Sequence, residues 1–274
     1  MTFLEKLNKL QRKITNTDRI YVSPEFYPHL IELLSLMKPY RAVGVDKKRI
    51  GSSRDGGYVM LNDFDPVKGA CSFGIGHDDS WDMEMARIGL PILQFDHTLD
   101  SSPHRHPLFH FHKIRIGKES RPSARMESIA SILNSHYSSE KELILKIDIE
   151  SDEWEVIADV DPEILKSFRQ ITIEFHNFSA VADNAWRQKA RQALIHLTRY
   201  HLPVHVHGNC ISPLVICRDI EIPDALELTF ARQDSYQLVS TDEAFPSPYD
   251  KSNHFLLSDV KLDIFQKLDY PRQA

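Results

Sequence analysis

The chain has 274 residues, a formal net charge of −6 and a hydrophobic fraction of 42%. These values are typical of a globular protein with a sizeable core. The acidic balance argues against nonspecific binding to nucleic acids, and no apolar run approaches the ~20 residues of a membrane-spanning helix. The polar N-terminal stretch is unlike a signal peptide, and three cysteines without CxxC spacing favour buried thiols in a reducing compartment. We therefore expect a cytoplasmic protein.

The first 45 residues are predicted to form a helical appendage. Leucines recur at helical spacing over 2–15 and again over 24–38, where Pro39 ends the second helix. Residues 46–264 are expected to form the main domain and 265–274 a tail.

A turn is predicted at Asp55-Gly56-Gly57, which lies between two short apolar segments. A tight turn by itself would explain this pattern. Alternatively, the loop covers a cofactor, with Arg54 or Asp55 facing it. In that case Asp55 and Gly57 belong to the binding site.

The stretch 70–99 predicts a buried strand, a glycine loop, a helix and a second strand that ends in an acid. Gly74 and Gly76 allow the backbone to turn tightly or to lie close to a ligand. Asp96 follows about 20 residues later, where an acid can accept hydrogen bonds from a ribose. With Asp78 and His97, these residues are the candidate cofactor-binding set.

The charge of the glycine loop disfavours a dinucleotide. The dinucleotide fingerprint has glycine where this chain has Asp79, and both Asp78 and Asp79 would repel a pyrophosphate. S-adenosylmethionine has a ribose, no phosphate, and two cationic groups that tolerate carboxylates. An ordinary turn between strand and helix, without a ligand, remains the alternative.

Histidines are frequent after this unit, but their spacing does not predict a zinc site. Residues 107–117 alternate like a strand, and a loop followed by a strand gives no preformed tetrahedral arrangement. We expect solvated histidines or histidines at the edge of the core. The histidines of this segment are His97, His104, His106, His110 and His112.

Strands and helices alternate through the rest of the domain. Strands are predicted over 143–149, 170–175, 203–210 and 213–217, and helices over 125–137 and 184–200. This alternation predicts an α/β fold with a mostly parallel sheet flanked by helices. The later part can add antiparallel strands.

Polar side chains follow these strands where the carboxyl ends of a parallel sheet meet. Asp148, Glu174, His176 and His207 stand there. A histidine or carboxylate can act as general base on a hydroxyl, or Asp148, Glu174 and His176 can hold a divalent ion such as Mg²⁺ or Mn²⁺. A buried hydrogen-bonded network without a catalytic role is the third interpretation.

Several segments carry a family resemblance. The chain resembles the FkbM-like methyltransferases, in particular the branch with the DGGYV motif, over roughly residues 48–210. The family commonly has glycine where this chain has Ser151. The segments are RIGSSRDGGYVML, SFGIGHDDSWDMEMA, FDHTLD, LKIDIESDEWEVI, ITIEFH and HVHGNC.

The resemblance implies a class I methyltransferase (Rossmann-like) fold and S-adenosylmethionine-dependent O-methylation of sugars or glycans. By position, Gly74, Gly76 and Asp96 would hold the cofactor. The acceptor would face the four polar residues Asp148, Glu174, His176 and His207.

The predicted function is therefore O-methylation of a sugar or glycan hydroxyl, with a surface polysaccharide or a lipid-linked sugar as the favoured acceptor. His176 or His207 is the predicted base, and Asp148 the predicted orienting residue or metal ligand. The alternatives are a natural-product methyltransferase, a cofactor-binding subunit without turnover, and an NAD-dependent dehydrogenase. The sequence does not determine the oligomeric state and leaves both a monomer and a homo-oligomer open.

Overall fold

The structure of the protein is a computed structural model that describes residues 18–137, 140 and 142–271. The helix predicted over 2–15 lies outside these residues. The strands are β1 Arg19–Tyr21, β2 Tyr40–Ala42, β3 Lys47–Gly51, β4 Gly57–Leu61, β5 Gly69–Phe73, β6 Ile92–Phe95, β7 Phe109–His112, β8 Arg115–Ile116, β9 Met126–Glu127, β10 Leu143–Ile147, β11 Phe168–His176, β12 His201–Gly208, β13 Leu214–Cys217, β14 Ile220–Pro223, β15 Ala225–Arg232 and β16 Leu238–Ser240. The α-helices are α1 Tyr27–Leu36, α2 Ser80–Arg87, α3 Ile129–His136, α4 Glu153–Asp159, α5 Pro162–Leu165, α6 Asn184–Thr198 and α7 Ile264–Lys267.

A seven-stranded sheet forms the centre of the molecule, with the strand order β12-β15-β11-β10-β5-β6-β7. The strands from β11 to β7 are mutually parallel, whereas β15 is antiparallel to both of its neighbours. The predicted α/β fold with a mostly parallel sheet is confirmed at this level, and the architecture is consistent with a Rossmann-like fold.

The strand order reverses beside β5. The chain runs from β5 to β6 and β7 on one side, and then returns to pair β10 and β11 on the other side. In open α/β sheets, such a reversal leaves a crevice at the carboxyl ends of the strands, where ligands bind. The residues directly after β5, β6 and β10 are therefore the ones that the fold places around a ligand.

Apolar side chains cover both faces of the sheet. One large cluster includes Leu30 and Leu34 of α1, Trp154 of α4 and Leu194 of α6. A second cluster on the opposite face joins Trp81 and Met85 of α2 to the hairpin β3–β4. The predicted helix over 24–38 appears as a 3₁₀ turn, Pro24–Phe26, followed by α1, whose leucines belong to the main core.

Two elements differ from the expectation. The helix predicted over 125–137 begins only at Ile129, because Arg125 is left-handed (φ 48°) and the Ser128 hydroxyl accepts the Ser131 N–H as a helix cap. The sequence does not predict a strand over Ala225–Arg232. This segment forms β15, which lies between β11 and β12 and is antiparallel to both.

Within the described part of the chain, none of the helices has the length and apolarity to cross a bilayer. Cys71, Cys210 and Cys217 are buried and free, as the sequence predicted for its thiols.

Candidate functional site

A cavity of about 320 Å³ lies at the carboxyl ends of β5, β6 and β10, where the strand order reverses. Its wall combines the glycine loop, the end of β6, the strand β8 and the loop after β10. The lining residues are Gly74, Ile75, Gly76, Phe95, Asp96, His97, Thr98, Ile114, Arg115, Ile116, Asp148, Ile149, Glu150 and Asp152. The structure thus brings Gly74, Gly76, Asp96 and His97 of the predicted cofactor set into one cavity, together with Asp148.

Gly74 is the point where the ends of β5 and β10 approach most closely. A Cβ atom at this position would lie 1.6 Å from the carbonyl oxygen of Asp148, and φ is +75°. The buried Lys146 side chain donates a hydrogen bond to the Gly74 carbonyl oxygen at 2.6 Å. Only glycine fits here, since both the close approach and the left-handed backbone exclude a side chain.

Asp96 holds the glycine loop in place. Its Oδ2 accepts hydrogen bonds from the backbone N–H groups of Ile75 and Gly76, both at 2.9 Å. Its Oδ1 accepts from the N–H and the hydroxyl of Thr98, and from the N–H of Leu99. Burial raises the pKa of this carboxyl, but the hydrogen bonds from Thr98, Gly76 and Ile75 outweigh burial and lower the pKa overall. Both oxygens of the Asp96 carboxylate therefore accept hydrogen bonds from within the protein. A ribose hydroxyl would have to displace one of these donors in order to bind Asp96.

The cavity wall is acidic. Asp96, Asp148, Glu150 and Asp152 line it. Among the described residues of this wall, Arg115 is the single lysine or arginine, and its Nε already donates to Asp152 at 3.0 Å. Because four carboxylates stand against one guanidinium, the wall carries an excess of negative charge and favours a cationic ligand over an anionic one.

The two acids at the start of α2 lie outside this wall. Asp79 is buried, and its carboxylate accepts hydrogen bonds from Ser102 and His104 of a neighbouring loop. Asp78 accepts the Ser80 N–H and lies beside Gly56. The structure therefore places Asp78 next to the β3–β4 turn that carries Asp55 and Gly57, and outside the cavity that Gly74, Gly76, Asp96 and His97 line.

A row of charged side chains crosses the sheet next to the cavity. Glu174 of β11 pairs in register with Glu227 of β15, which in turn pairs with His207 of β12. Both glutamates are buried. Like charges that are directly opposite on neighbouring strands destabilise a sheet, so this row costs stability unless a proton or a bound cation neutralises one of the carboxylates. Burial, followed by the charges of Asp148 and Glu227, raises the pKa of Glu174 well above its usual value.

His176 lies among carboxylates. Its Nδ1 is 3.1 Å from Glu153 Oε1, and its Nε2 is 3.9 Å from oxygens of Glu174 and Glu150. Burial lowers the pKa of His176, but the hydrogen bond with Glu153 and the surrounding carboxylates outweigh it and raise this pKa to about 10. Asp148, Glu174 and His176 each offer one ligand atom, and these atoms lie within 4.8 Å of one another. The structure brings together the three residues that the sequence predicted as metal ligands.

His207 is enclosed by two carboxylates. Its Nδ1 lies 2.9 Å from Glu227 Oε2, and its Nε2 lies 3.1 Å from Asp259 Oδ1. Burial lowers the pKa of His207, but the interactions with Glu227 and Asp259 outweigh burial and raise this pKa to about 11. With both nitrogens engaged, this side chain orients Glu227 and is not free to take a proton from a substrate.

The β3–β4 hairpin covers the charged row. Asp55 accepts a hydrogen bond from Asn253 Nδ2 at 3.2 Å and forms a second group of potential ligands with Glu174 and Glu227. Tyr58 donates its hydroxyl hydrogen to Asp148 Oδ2 at 3.0 Å. Gly57 has a backbone role, because a Cβ atom there would lie 2.0 Å from the Ser52 carbonyl oxygen.

Ser151 has a left-handed backbone conformation, which glycine adopts more easily than serine. Its φ is +90°, and the preceding Glu150 also has a positive φ of 55°. Such conformations cost of order 1–3 kcal/mol each for residues other than glycine. Asn177 Nδ2 donates to the Ser151 hydroxyl at 2.6 Å and helps to hold the loop after β10.

Sequence reasoning missed several residues of this site. Tyr58 and Glu153 lie within quoted motifs and could have been found from their neighbours Gly57 and Trp154. Glu227 lies in the segment Leu226 to Phe230, where apolar and polar residues alternate as they do in a half-buried strand. Asn253 and Asp259 come from an irregular segment and have no local signal.

Neither a search against models of protein families nor a search of curated proteins matches this chain. The family resemblance therefore stays a prediction.

Proposed function

We propose that this protein is an S-adenosylmethionine-dependent O-methyltransferase that acts on a hydroxyl of a sugar or glycan. The observation that carries the proposal is the position of Asp148. Asp148 lines the acidic cavity, and its carboxylate belongs to the carboxylate–histidine cluster. A cofactor in the cavity would thus lie beside an acceptor held by the cluster.

The cavity suits the chemistry of S-adenosylmethionine. Its ammonium and sulfonium groups are cations, and four carboxylates line the wall against one paired arginine. The apolar Ile114 and Ile116 offer contact for a flat base. When bound, the cofactor supplies the methyl group.

A dinucleotide fits this wall less well. A pyrophosphate binds where backbone N–H groups at a helix start are free and basic groups lie near. Here the Ile75 and Gly76 N–H groups already donate to Asp96, and Arg115 already donates to Asp152. The dehydrogenase alternative therefore has no support in the charge or the hydrogen bonding of the cavity.

On the acceptor side, we assign the proton acceptor to Asp148. His176, with a pKa of about 10, carries a proton at neutral pH and stabilises negative charge. Asp148 lies between the cavity and the cluster, where Tyr58 fixes its orientation. A positioned base contributes roughly 10²–10⁴-fold to such a transfer, and alignment of the two reactants contributes further.

A divalent ion fits the cluster. As the alternative to a protonated His176 and a basic Asp148, Mg²⁺ or Mn²⁺ would be held by Asp148, Glu174 and a neutral His176, since oxygen and imidazole ligands suit these ions and metal binding displaces the ring proton. Such an ion would bind sugar oxygens and lower the pKa of the acceptor hydroxyl. It would also offset the repulsion between the buried Glu174 and Glu227.

The cofactor is tested by calorimetry with S-adenosylhomocysteine and, separately, with NAD. We expect S-adenosylhomocysteine to bind and NAD not to bind. The Asp148→Asn variant should retain S-adenosylhomocysteine binding and lose methyl transfer at least about 100-fold, as measured with labelled cofactor over a panel of sugars. Binding of NAD alone, or full transfer by the variant, would contradict the proposal.

The metal is tested by titrating the protein with Mn²⁺ and comparing wild type with Glu174→Gln. Gln keeps the hydrogen bond from Asn209, so the fold should persist while Mn²⁺ affinity falls at least tenfold. Glu221→Gln, which removes an exposed carboxylate elsewhere, is the matched control and should bind Mn²⁺ like wild type. Equal affinity of all three proteins would remove the ion from the proposal.

A further inference from the structure

A short turn at the rim of the charged row exposes two apolar side chains. The Leu257 N–H donates to the His254 carbonyl oxygen at 3.1 Å, which places Phe255 and Leu256 at the tip. Phe255 is 68% exposed and Leu256 is 51% exposed. Turn tips usually carry Gly, Pro, Asn, Asp or Ser, so the geometry of the turn requires neither Phe255 nor Leu256. Exposed apolar side chains beside a polar cleft are a sign of a binding surface.

The turn is fixed to the candidate acceptor site. Asn253 Nδ2 donates to Glu227 Oε1 at 2.7 Å and to Asp55 Oδ1 at 3.2 Å. Two residues span at most roughly 7 Å between Cα atoms, so Phe255 lies close to this cluster. The Arg54 guanidinium lies 5.1 Å from the centre of the Phe255 ring, which ties the turn to the β3–β4 hairpin as well.

We propose that Phe255 is the platform on which a sugar ring of the acceptor stacks, while the sugar hydroxyls reach toward the exposed Asp55. The proposal rests on the proposed function and names the acceptor-binding residue of that same site. A pyranose has an apolar C–H face and a polar rim of hydroxyls. The turn offers the matching pattern, since an exposed aromatic ring, in contact with His254 and Arg54, lies two residues from Asn253 and its carboxylate partner Asp55.

The charge around Phe255 favours a sugar over a membrane surface. Asp55, Glu227 and Asp259 lie near the turn, and the chain carries a net charge of −6. Anionic lipid headgroups would be repelled, because membrane-binding segments depend on clustered lysine and arginine. In the described structure Arg54 covers part of the Phe255 ring, and a stacked sugar would take its place there.

The experiment measures binding of methyl glycosides of common hexoses and deoxyhexoses by saturation-transfer NMR, with S-adenosylhomocysteine present. The variants are Phe255→Ala, Phe255→Trp and, as a control, Tyr21→Ala, which removes another exposed aromatic ring on β1. We expect at least one glycoside to bind wild type. Phe255→Ala should weaken it roughly three- to tenfold, the range of an aromatic contact, whereas Phe255→Trp and Tyr21→Ala should stay within twofold of wild type.

Three results would overturn the inference: no glycoside binds wild type, Phe255→Ala binds as tightly as wild type, or Phe255→Ala abolishes binding to anionic vesicles without affecting glycosides. Failure of the proposed function is distinguishable, since it appears as absent S-adenosylhomocysteine binding while the glycoside titrations still report on Phe255. Where transfer is observed, Phe255→Ala should raise KM for the sugar and leave kcat within twofold.

Discussion

Gly74 and Ser151 show how single residues shape the candidate cavity. Gly74 accommodates the Asp148 carbonyl oxygen at a distance that no Cβ allows, and the buried Lys146 side chain holds its carbonyl oxygen. Ser151 adopts a left-handed conformation without being glycine. The backbone around Asp148 is therefore held by one tightly packed and one strained position, and Tyr58 orients its carboxylate.

Replacement of Gly74 by alanine should lower both stability and cofactor binding. The new Cβ would meet the Asp148 carbonyl oxygen, so we expect a loss of at least about 3 kcal/mol in the free energy of unfolding, plus loss of S-adenosylhomocysteine binding. Gly44→Ala is the matched control, because Gly44 has a similar φ of +73° and no atom within 4 Å. It should cost only about 1 kcal/mol. Urea denaturation and calorimetry measure both; equal losses in the two variants would contradict the role of the close approach.

At the scale of elements, β15 decides which residues form the charged row beside the cavity. It separates β11 from the parallel strand β12 and places Glu227 between Glu174 and His207. The sequence predicted the residues at the ends of β10 and β11 correctly as neighbours, because parallel strands end at one edge of a sheet. It did not predict Glu227, since pairing between β11 and β15 depends on contacts between segments about 50 residues apart.

The start of β12 should make the fold sensitive to acid. His201 is fully buried, and its ring hydrogen-bonds to the Phe168 carbonyl oxygen at the start of β11. Burial lowers the pKa of His201 to about 4. Between pH 6.5 and 4 the unfolded chain binds the proton and the folded protein does not, so the free energy of unfolding falls as the pH falls, by about 3 kcal/mol in total.

The measurement is urea denaturation from pH 7 to pH 4. His201→Gln should lose this part of the slope, whereas His110→Gln, which replaces an exposed histidine, should keep it. An unchanged slope for His201→Gln would show that the acid sensitivity arises elsewhere.

At the scale of the whole molecule, the strand-order reversal joins the two halves of the candidate site. The glycine loop and Asp96 come from one direction of the chain, and Asp148, Glu174 and His176 come from the other. The irregular segment after β16 then covers the acceptor side with Asn253 and Asp259. The site is thus assembled from parts of the chain about 200 residues apart.

Ligand binding across this junction should stabilise the whole fold. S-adenosylhomocysteine at about 100 times its Kd should add ~2.7 kcal/mol to the free energy of unfolding and raise Tm, whereas NAD at the same concentration should leave Tm unchanged. Differential scanning calorimetry measures the shift. Gly74→Ala should show no such shift, and a shift with NAD alone would favour the dehydrogenase alternative.

The sequence by itself determined the class of the fold and the polar strand ends, because hydrophobic periodicity and the residues that follow each strand are local properties. Glycine spacing likewise indicated where the backbone must turn. Only the tertiary structure decided which carboxylates form hydrogen bonds within the protein. Asp96, which looks like a ligand-binding acid in the sequence, holds the glycine loop, Asp79 holds a neighbouring loop, and Glu227 pairs with His207 and Asn253. Hydrogen bonding of a carboxylate depends on donors brought from distant segments, and no local pattern encodes them.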